Sequence, residues 1–123
     1  MRLLYVDDEQ DIRDVVDFAL EDETDFEVAF ASDGAQAIAL NASFGPDLIL
    51  LDVMMPGLDG PSTLQRIREG TVNSTVPIAF ITAKVQREEV AHLRSLGAVD
   101  VIEKPFDPLA LPQRIRQIFG KTL

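Results

Sequence analysis

The sequence predicts an α/β fold: a flavodoxin-like (βα)5 doubly wound parallel five-stranded sheet with strand order 2-1-3-4-5. Three observations lead there. Five short apolar runs alternate with five stretches of helical periodicity, and that alternation calls for a parallel sheet with helices on both faces. Two of the runs, "LILL" and "IAFI", are apolar without a break, as in central strands covered on both sides. The chain has 123 residues, a length that suits one core. At that size right-handed crossovers leave few topologies, of which 2-1-3-4-5 is a common one. Residues 1–123 therefore read as a single domain.

The strands are expected at "LLYV" (3–6), "FEVAFA" (26–31), "DLILLDV" (47–53), "PIAFIT" (77–82) and "VDVIE" (99–103). Between the first two, Ile12, Val15, Val16 and Ala19 follow the i, i+3, i+4, i+7 spacing of a helix that ends near Asp22. Ser32 or Asp33 caps a second, alanine-rich helix through Ala42, which the Gly45-Pro46 break stops. A third helix starts at Gly60-Pro61, since proline is tolerated in a first turn, and buries Leu64 and Ile67. The fourth carries Val90, Leu93 and Leu96, with Gly97 as a left-handed cap. The last turns Leu111, Ile115, Ile118 and Phe119 to one side, and Pro112 makes it begin near Ala110. Phe30, Phe44 and Phe80 read as core or edge-packing residues. His92, the single histidine, reads as a surface residue, and Glu21, Asp22 and Glu23 as a solvated face.

Composition narrows the function. Hydrophobic residues make up 46% and charged ones 26%, the pattern of a globular chain. Against 21 acidic residues stand 11 basic ones, a net charge of −10. That balance argues against direct binding of nucleic acid or an anionic membrane, whose phosphates are held by clustered Lys and Arg. Cysteine is absent, so no disulfide or thiolate metal site exists. No apolar run approaches the roughly 20 residues of a membrane span, and a cytoplasmic location is expected.

The chemistry gathers where the strands end. In this class of sheet, ligands bind beyond the carboxyl ends of the strands, at the switch point between strands 1 and 3. Strand 1 ends at Asp7-Asp8, strand 3 at Asp52, strand 4 at Thr82-Ala83 and strand 5 at Lys104-Pro105. Singly, each has an ordinary reading: a solvated turn, a strand terminus, a β-branched strand residue, a surface lysine. Together they put three carboxylates, a hydroxyl and an ammonium in one shallow site. The three carboxylates and Lys104 leave a charge of −2, which raises carboxylate pKa values or destabilises the fold. One divalent cation cancels it. All the donors are hard oxygens, which selects Mg²⁺ (magnesium) or Mn²⁺ over zinc. Mg²⁺ commonly pairs one or two carboxylates with a phosphate oxygen.

The motifs "VDDE" (6–9), "LILLDVMMPGLDG" (48–60), "FITA" (80–83) and "EKPF" (103–106) resemble, in order and position, those of the receiver domain of bacterial two-component response regulators. The resemblance runs from Arg2 to about Phe119. It implies a phosphorylation-dependent signalling switch rather than a turnover enzyme. Asp52 is then the phosphoacceptor, taking a phosphoryl group from a sensor histidine kinase or a histidine phosphotransfer protein. Asp8 and Asp52 are the Mg²⁺ ligands with the backbone carbonyl of Met54, while Asp7 acts through a metal-bound water or positions Asp8. Thr82 is the switch hydroxyl, Lys104 the cation that pairs with Asp52 and then with the phosphate, and the Lys104–Pro105 bond is cis. The signal passes to a downstream protein, reached through the helix 4–strand 5–helix 5 face, or to an output domain of a longer chain, with no direct nucleic acid and no membrane.

Three positions bear on how the pattern works here. Many receivers carry a switching aromatic three residues before the lysine, where this chain has Val101. The readout is therefore expected in the loop after strand 4 and in helix 4 more than in strand 5. Met54 and Lys84, two residues after Asp52 and Thr82, flank the path of a hydrolytic water in such domains, and their bulk implies an acyl phosphate lasting minutes or longer. Three rivals carry less. A haloacid-dehalogenase-like phosphatase needs a second acid where Met54 stands. A flavodoxin-type FMN site would meet repulsion from "DDEQ". A receiver-like scaffold without phosphorylation has no use for Asp8, Asp52, Thr82 and Lys104 together.

Overall fold

The computed structural model describes all residues, Met1–Leu123. Its elements, in chain order, are β1 (Arg2–Val6), α1 (Gln10–Leu20), β2 (Glu27–Ala31), α2 (Gly34–Ser43), β3 (Leu48–Asp52), α3 (Gly60–Glu69), β4 (Ile78–Thr82), α4 (Arg87–Ser95), β5 (Asp100–Glu103) and α5 (Leu111–Gly120). The five strands are parallel and lie in the order β2-β1-β3-β4-β5, as the sequence predicts.

The core is split by the sheet. On one face Leu4, Val6, Ile49, Leu51, Ile78 and Phe80 pack with Ala37, Leu64, Ile67 and Leu93 from α2, α3 and α4. On the other, Leu3, Tyr5, Leu48, Leu50, Ala79, Ile81 and Ile102 pack with residues of α1 and α5, including Val16, Leu20, Leu111, Ile115 and Ile118. Successive strand residues thus serve opposite layers, which is why the central runs are apolar throughout. Each fully buried Leu or Ile contributes about 1.5–3 kcal/mol relative to exposure.

Local signals explain the helix boundaries. Asp33, not Ser32, caps α2, accepting a hydrogen bond from Gln36 N, and Asp59 caps α3 in the same way through Ser62 N. Gly97 closes the turn after α4 with φ of 103°, a conformation that suits a residue without a Cβ. α1 stops at Leu20, short of Asp22, and Val15 is turned partly outward, so the buried stripe is carried by Val16 and Leu20. Leu96 likewise falls past the end of α4 and is exposed. Glu23 is not simply solvated: it pairs with Arg116 at 2.8 Å. Arg116 also meets Asp25 at 2.9 Å and stacks over the Phe26 ring, tying α5 to the α1–β2 loop.

A second polar knot fastens α4 and α5 to β5. Asp100 is buried at the start of β5. It accepts hydrogen bonds from Arg94 of α4 at 3.0 Å, Arg114 of α5 at 3.1 Å, Lys121 at 2.7 Å and the Val101 N–H at 2.8 Å. Burial alone would raise its pKa, but the bonds from Arg114 and Lys121 outweigh that and hold its carboxyl well below the usual carboxylate range.

Candidate functional site

Register delivers the site residues to one edge. Val6 pairs with Leu51, Asp52 with Ile81 and Thr82 with Glu103. The residues that follow on each strand therefore emerge side by side. Backbone bonds continue the ladder past the strand ends, from Val53 N to Ile81 O at 3.1 Å and from Lys104 N to Thr82 O at 2.9 Å. Gly60 folds the β3–α3 loop tightly over this edge. A Cβ on it would come within 2.4 Å of the Asp52 carbonyl oxygen, so no other residue fits without movement.

Asp7 is fully buried. Its Oδ2 accepts from Tyr5 Oη and from Lys104 Nζ, each at 3.0 Å, and its Oδ1 accepts from Glu9 N at 3.0 Å. Asp52 is also buried, with Oδ2 at 3.5 Å from Lys104 Nζ. Burial and the neighbouring charge of Asp7 push its pKa up to about 6, against the lowering effect of Lys104. Burial disfavours the charge on Lys104, yet its bond to Asp7 and the nearby Asp52 raise its pKa overall. Tyr5 is driven upward by burial and by Asp7, so it serves as a neutral donor. The Lys104–Pro105 peptide is cis.

Asp8 is exposed at the rim. Carboxylate oxygens of Asp7, Asp8 and Asp52 lie within 4.8 Å of one another. Ligands on opposite sides of an ion with bonds of about 2.1 Å are about 4.2 Å apart. The three all-oxygen donors therefore suit a small hard cation with little adjustment. Thr82 is buried, and its Oγ1 accepts from Lys84 N at 3.0 Å, which leaves its own O–H free to donate. Met54 is 65% exposed and shares the mouth of the pocket with Glu9, Asp52, Thr82, Ala83 and Lys104. Lys84 is exposed and lines the adjoining groove with Met54, Thr82 and His92. Val101 packs half-buried against the α2–α3–α4 layer.

Sequence reasoning did not find two members of the site. Tyr5, the single tyrosine, stands two residues before Asp7 on the same side of β1, and the period of two was the available signal. Glu9 reaches Lys104, with Oε1 at 3.6 Å from Nζ. It belongs to the pocket's charge, which the count based on Asp7, Asp8, Asp52 and Lys104 left out.

Comparison with known proteins gives a consistent answer. The family model for the response regulator receiver domain matches residues 3–116. Transcriptional regulatory protein CseB of Streptomyces coelicolor is 39% identical over 119 residues, covering 97% of this chain and 49% of that protein. The DNA-binding dual master transcriptional regulator RpaA of Synechocystis is 35% identical over 121 residues, covering 98% and 50%. Among solved structures, the chemotaxis response regulator CheY4 of Vibrio cholerae superposes with a TM-score of 0.86 at 30% identity, covering 95% of this chain and 97% of that one. The chain spans about half the length of the curated relatives it matches.

These relatives correct one expectation, that direct nucleic-acid binding is absent. RpaA is a DNA-binding regulator, and so is MtrA of Mycobacterium leprae, 37% identical over 115 residues. The charge argument failed because −10 describes only these 123 residues. It says nothing of the half of each relative that the match does not cover.

Proposed function

From the premise that this chain belongs to the response regulator receiver family, we propose that it is a Mg²⁺-dependent phosphorylation switch with Asp52 as the acceptor. Residues 1–123 act as one receiver domain in the cytoplasm. The donor is the phosphohistidine of a sensor histidine kinase or of a histidine phosphotransfer protein.

The supporting observation is the meeting of Asp52, Asp7, Thr82 and Lys104 across four strands, with Lys104 Nζ within 3.5 Å of both buried carboxylates. Asp52 Oδ attacks phosphorus. The P–N bond of the donor breaks with its electron pair returning to the imidazole, and an acyl phosphate forms on Asp52. Such transfer depends on alignment and charge neutralisation, with little need for a general base. Asp8, Asp52 and the Met54 carbonyl are the residues that would hold Mg²⁺, with Asp7 behind a bound water. When bound, the cation neutralises charge on the transferring phosphoryl oxygens. Lys104, 3.5 Å from Asp52, supplies a second positive charge. Thr82 then turns its free O–H to a phosphoryl oxygen and gives up the bond from Lys84 N, which loosens the β4–α4 loop. With valine at 101 there is no ring to follow, so α4 and its loop carry the change to a protein partner or to an output domain. The product is a signalling state with slow self-hydrolysis.

The test is intact mass after treatment with acetyl phosphate and Mg²⁺. Wild type gains one phosphoryl group and Asp52→Asn gains none. A wild-type chain that stays unmodified, or an Asp52→Asn chain that is modified equally, overturns the reading.

A further inference from the structure

Glu9 has no task in the reaction described above, yet its setting is unusual. It is the N-cap of α1, with φ −91° and ψ 113°, but its side chain makes no capping hydrogen bond. An N-cap side chain ordinarily accepts from a backbone N–H of the first turn. Here the Glu9 N–H donates to Asp7 Oδ1 at 3.0 Å. The Glu9 carboxylate turns instead to the mouth of the pocket, with Oε1 3.6 Å from Lys104 Nζ and the side chain 59% exposed. It shares that mouth with Asp52, Met54, Thr82, Ala83 and Lys104.

No other cation relieves it. Lys104 is already shared with Asp7 at 3.0 Å and Asp52 at 3.5 Å. Arg13 is turned to the Asp7 carbonyl and to Gln10. Lys84 lines the adjoining groove. Four carboxylates therefore face one ammonium, so the pocket carries −3, and still −1 with a divalent cation in place. A phosphodonor is itself an anion, and Glu9 sets an exposed negative charge at the mouth it must enter.

We propose that Glu9 is a specificity-determining positioning residue: it shares Lys104 at the rim and repels small phosphorylated anions from Asp52. The inference rests on Asp52 being the phosphoacceptor. A protein-borne phosphohistidine is less affected, because docking of its carrier supplies binding energy remote from the pocket. A free acyl phosphate has only its charge and its phosphorus to offer. Glu9 thereby favours the protein donor over small phosphorylated metabolites. In the screened reaction with acetyl phosphate, the bond from the acyl oxygen to phosphorus breaks, acetate leaves with the electron pair, and the Asp52–phosphorus bond forms.

The experiment compares wild type, Glu9→Gln and Glu9→Asp under saturating Mg²⁺, with phosphorylation rates read by intact mass. The small donors are acetyl phosphate and the less negatively charged phosphoramidate. Glu9→Gln is expected to react with acetyl phosphate at least about threefold faster at about 20 mM ionic strength. That advantage shrinks at about 0.5 M, where exposed charges are screened. The gain with phosphoramidate is smaller. Glu9→Asp keeps the charge and stays near the wild-type rate. A readout independent of the cation is the Lys104 side-chain nitrogen resonance without Mg²⁺, which Glu9→Gln shifts. Glu9→Gln rates equal to or below wild type, or an advantage that does not depend on salt, overturn the proposal. Failure of wild type to take any phosphoryl group overturns the acceptor reading instead.

Discussion

Lys104 Nζ stands nearer to Asp7, at 3.0 Å, than to Asp52, at 3.5 Å. The lysine leans on Asp7 rather than on the proposed acceptor, which leaves Asp52 less neutralised than its neighbour. Asp7→Asn removes that competitor and also the charge that helps raise the Asp52 pKa. The expected result is an Asp52 carboxyl that titrates below about 6 in the metal-free variant, measured by carbon NMR. An unchanged or higher value contradicts the arrangement.

Metal addition should stabilise the fold near neutral pH. Three carboxylates within 4.8 Å repel one another when ionised, and a ligand that binds only the folded chain adds RT ln(1 + [L]/Kd). At tenfold excess over Kd this is about 1.4 kcal/mol, or a rise of roughly 4–8 °C in Tm for a domain near this size. The gain should shrink below pH 5, where Asp52, raised to about 6 by burial and by Asp7, is protonated. Calorimetry with Mg²⁺ and with EDTA at both pH values checks it. A rise that is equal at both, or absent at pH 7, counts against the site.

Asp100 sets an acid limit on stability. Its folded pKa is depressed by the bonds from Arg114 and Lys121 acting against burial. Its contribution is therefore complete above the unfolded value of about 4 and is lost as pH falls towards the folded one. Asp100→Asn should cost about 1–3 kcal/mol at pH 7, since breaking a buried pair is costly but the three cations keep part of their hydration. The gap from wild type should narrow progressively as pH falls below about 4. Denaturant titrations across that range give the answer, and a gap that widens on acidification refutes the sign.

The lifetime of the acyl phosphate should depend on Met54 and Lys84. Met54 is exposed over the mouth of the pocket and Lys84 beside it, so both obstruct water. The expected wild-type lifetime is minutes or longer at neutral pH with Mg²⁺. Met54→Ala should shorten it several-fold, read as loss of the phosphoryl mass with time. Loss within seconds in wild type, or a longer life in Met54→Ala, is the contrary result.

Val101 is expected to set where the signal travels. The amide shifts that follow beryllofluoride binding should be larger in residues 83–90 than in β5. Equal shifts in β5 would mean that a ring is not needed there.

The features legible in the sequence are those fixed by local chemistry. Unbroken apolar runs marked β3 and β4, Ser32 or Asp33 and Gly60-Pro61 marked helix starts, and Gly97 marked the end of α4. The site edge followed from strand ends because a parallel sheet brings all its carboxyl ends together. Contacts between side chains distant in sequence were not legible. The bond from Arg116 to Asp25 spans 91 positions and that from Lys121 to Asp100 spans 21. The Glu9–Lys104 pair depends on how Glu9 turns out of its N-cap position, which no spacing rule encodes. Net charge misled about nucleic acid because composition describes only the stretch it is counted over.

The hydrogen bond from Lys104 to Asp7 joins residues 97 positions apart, and it reaches Asp7 from β5, an edge strand that pairs only with β4. The acidic half of the pocket is thus written early in the chain and its counter-charge late. A chain synthesised only as far as β3 holds the clustered aspartates without that ammonium. The pocket's charge finds its internal balance only when the final strand docks, so a product cut short before Lys104 would keep its aspartates without their lysine.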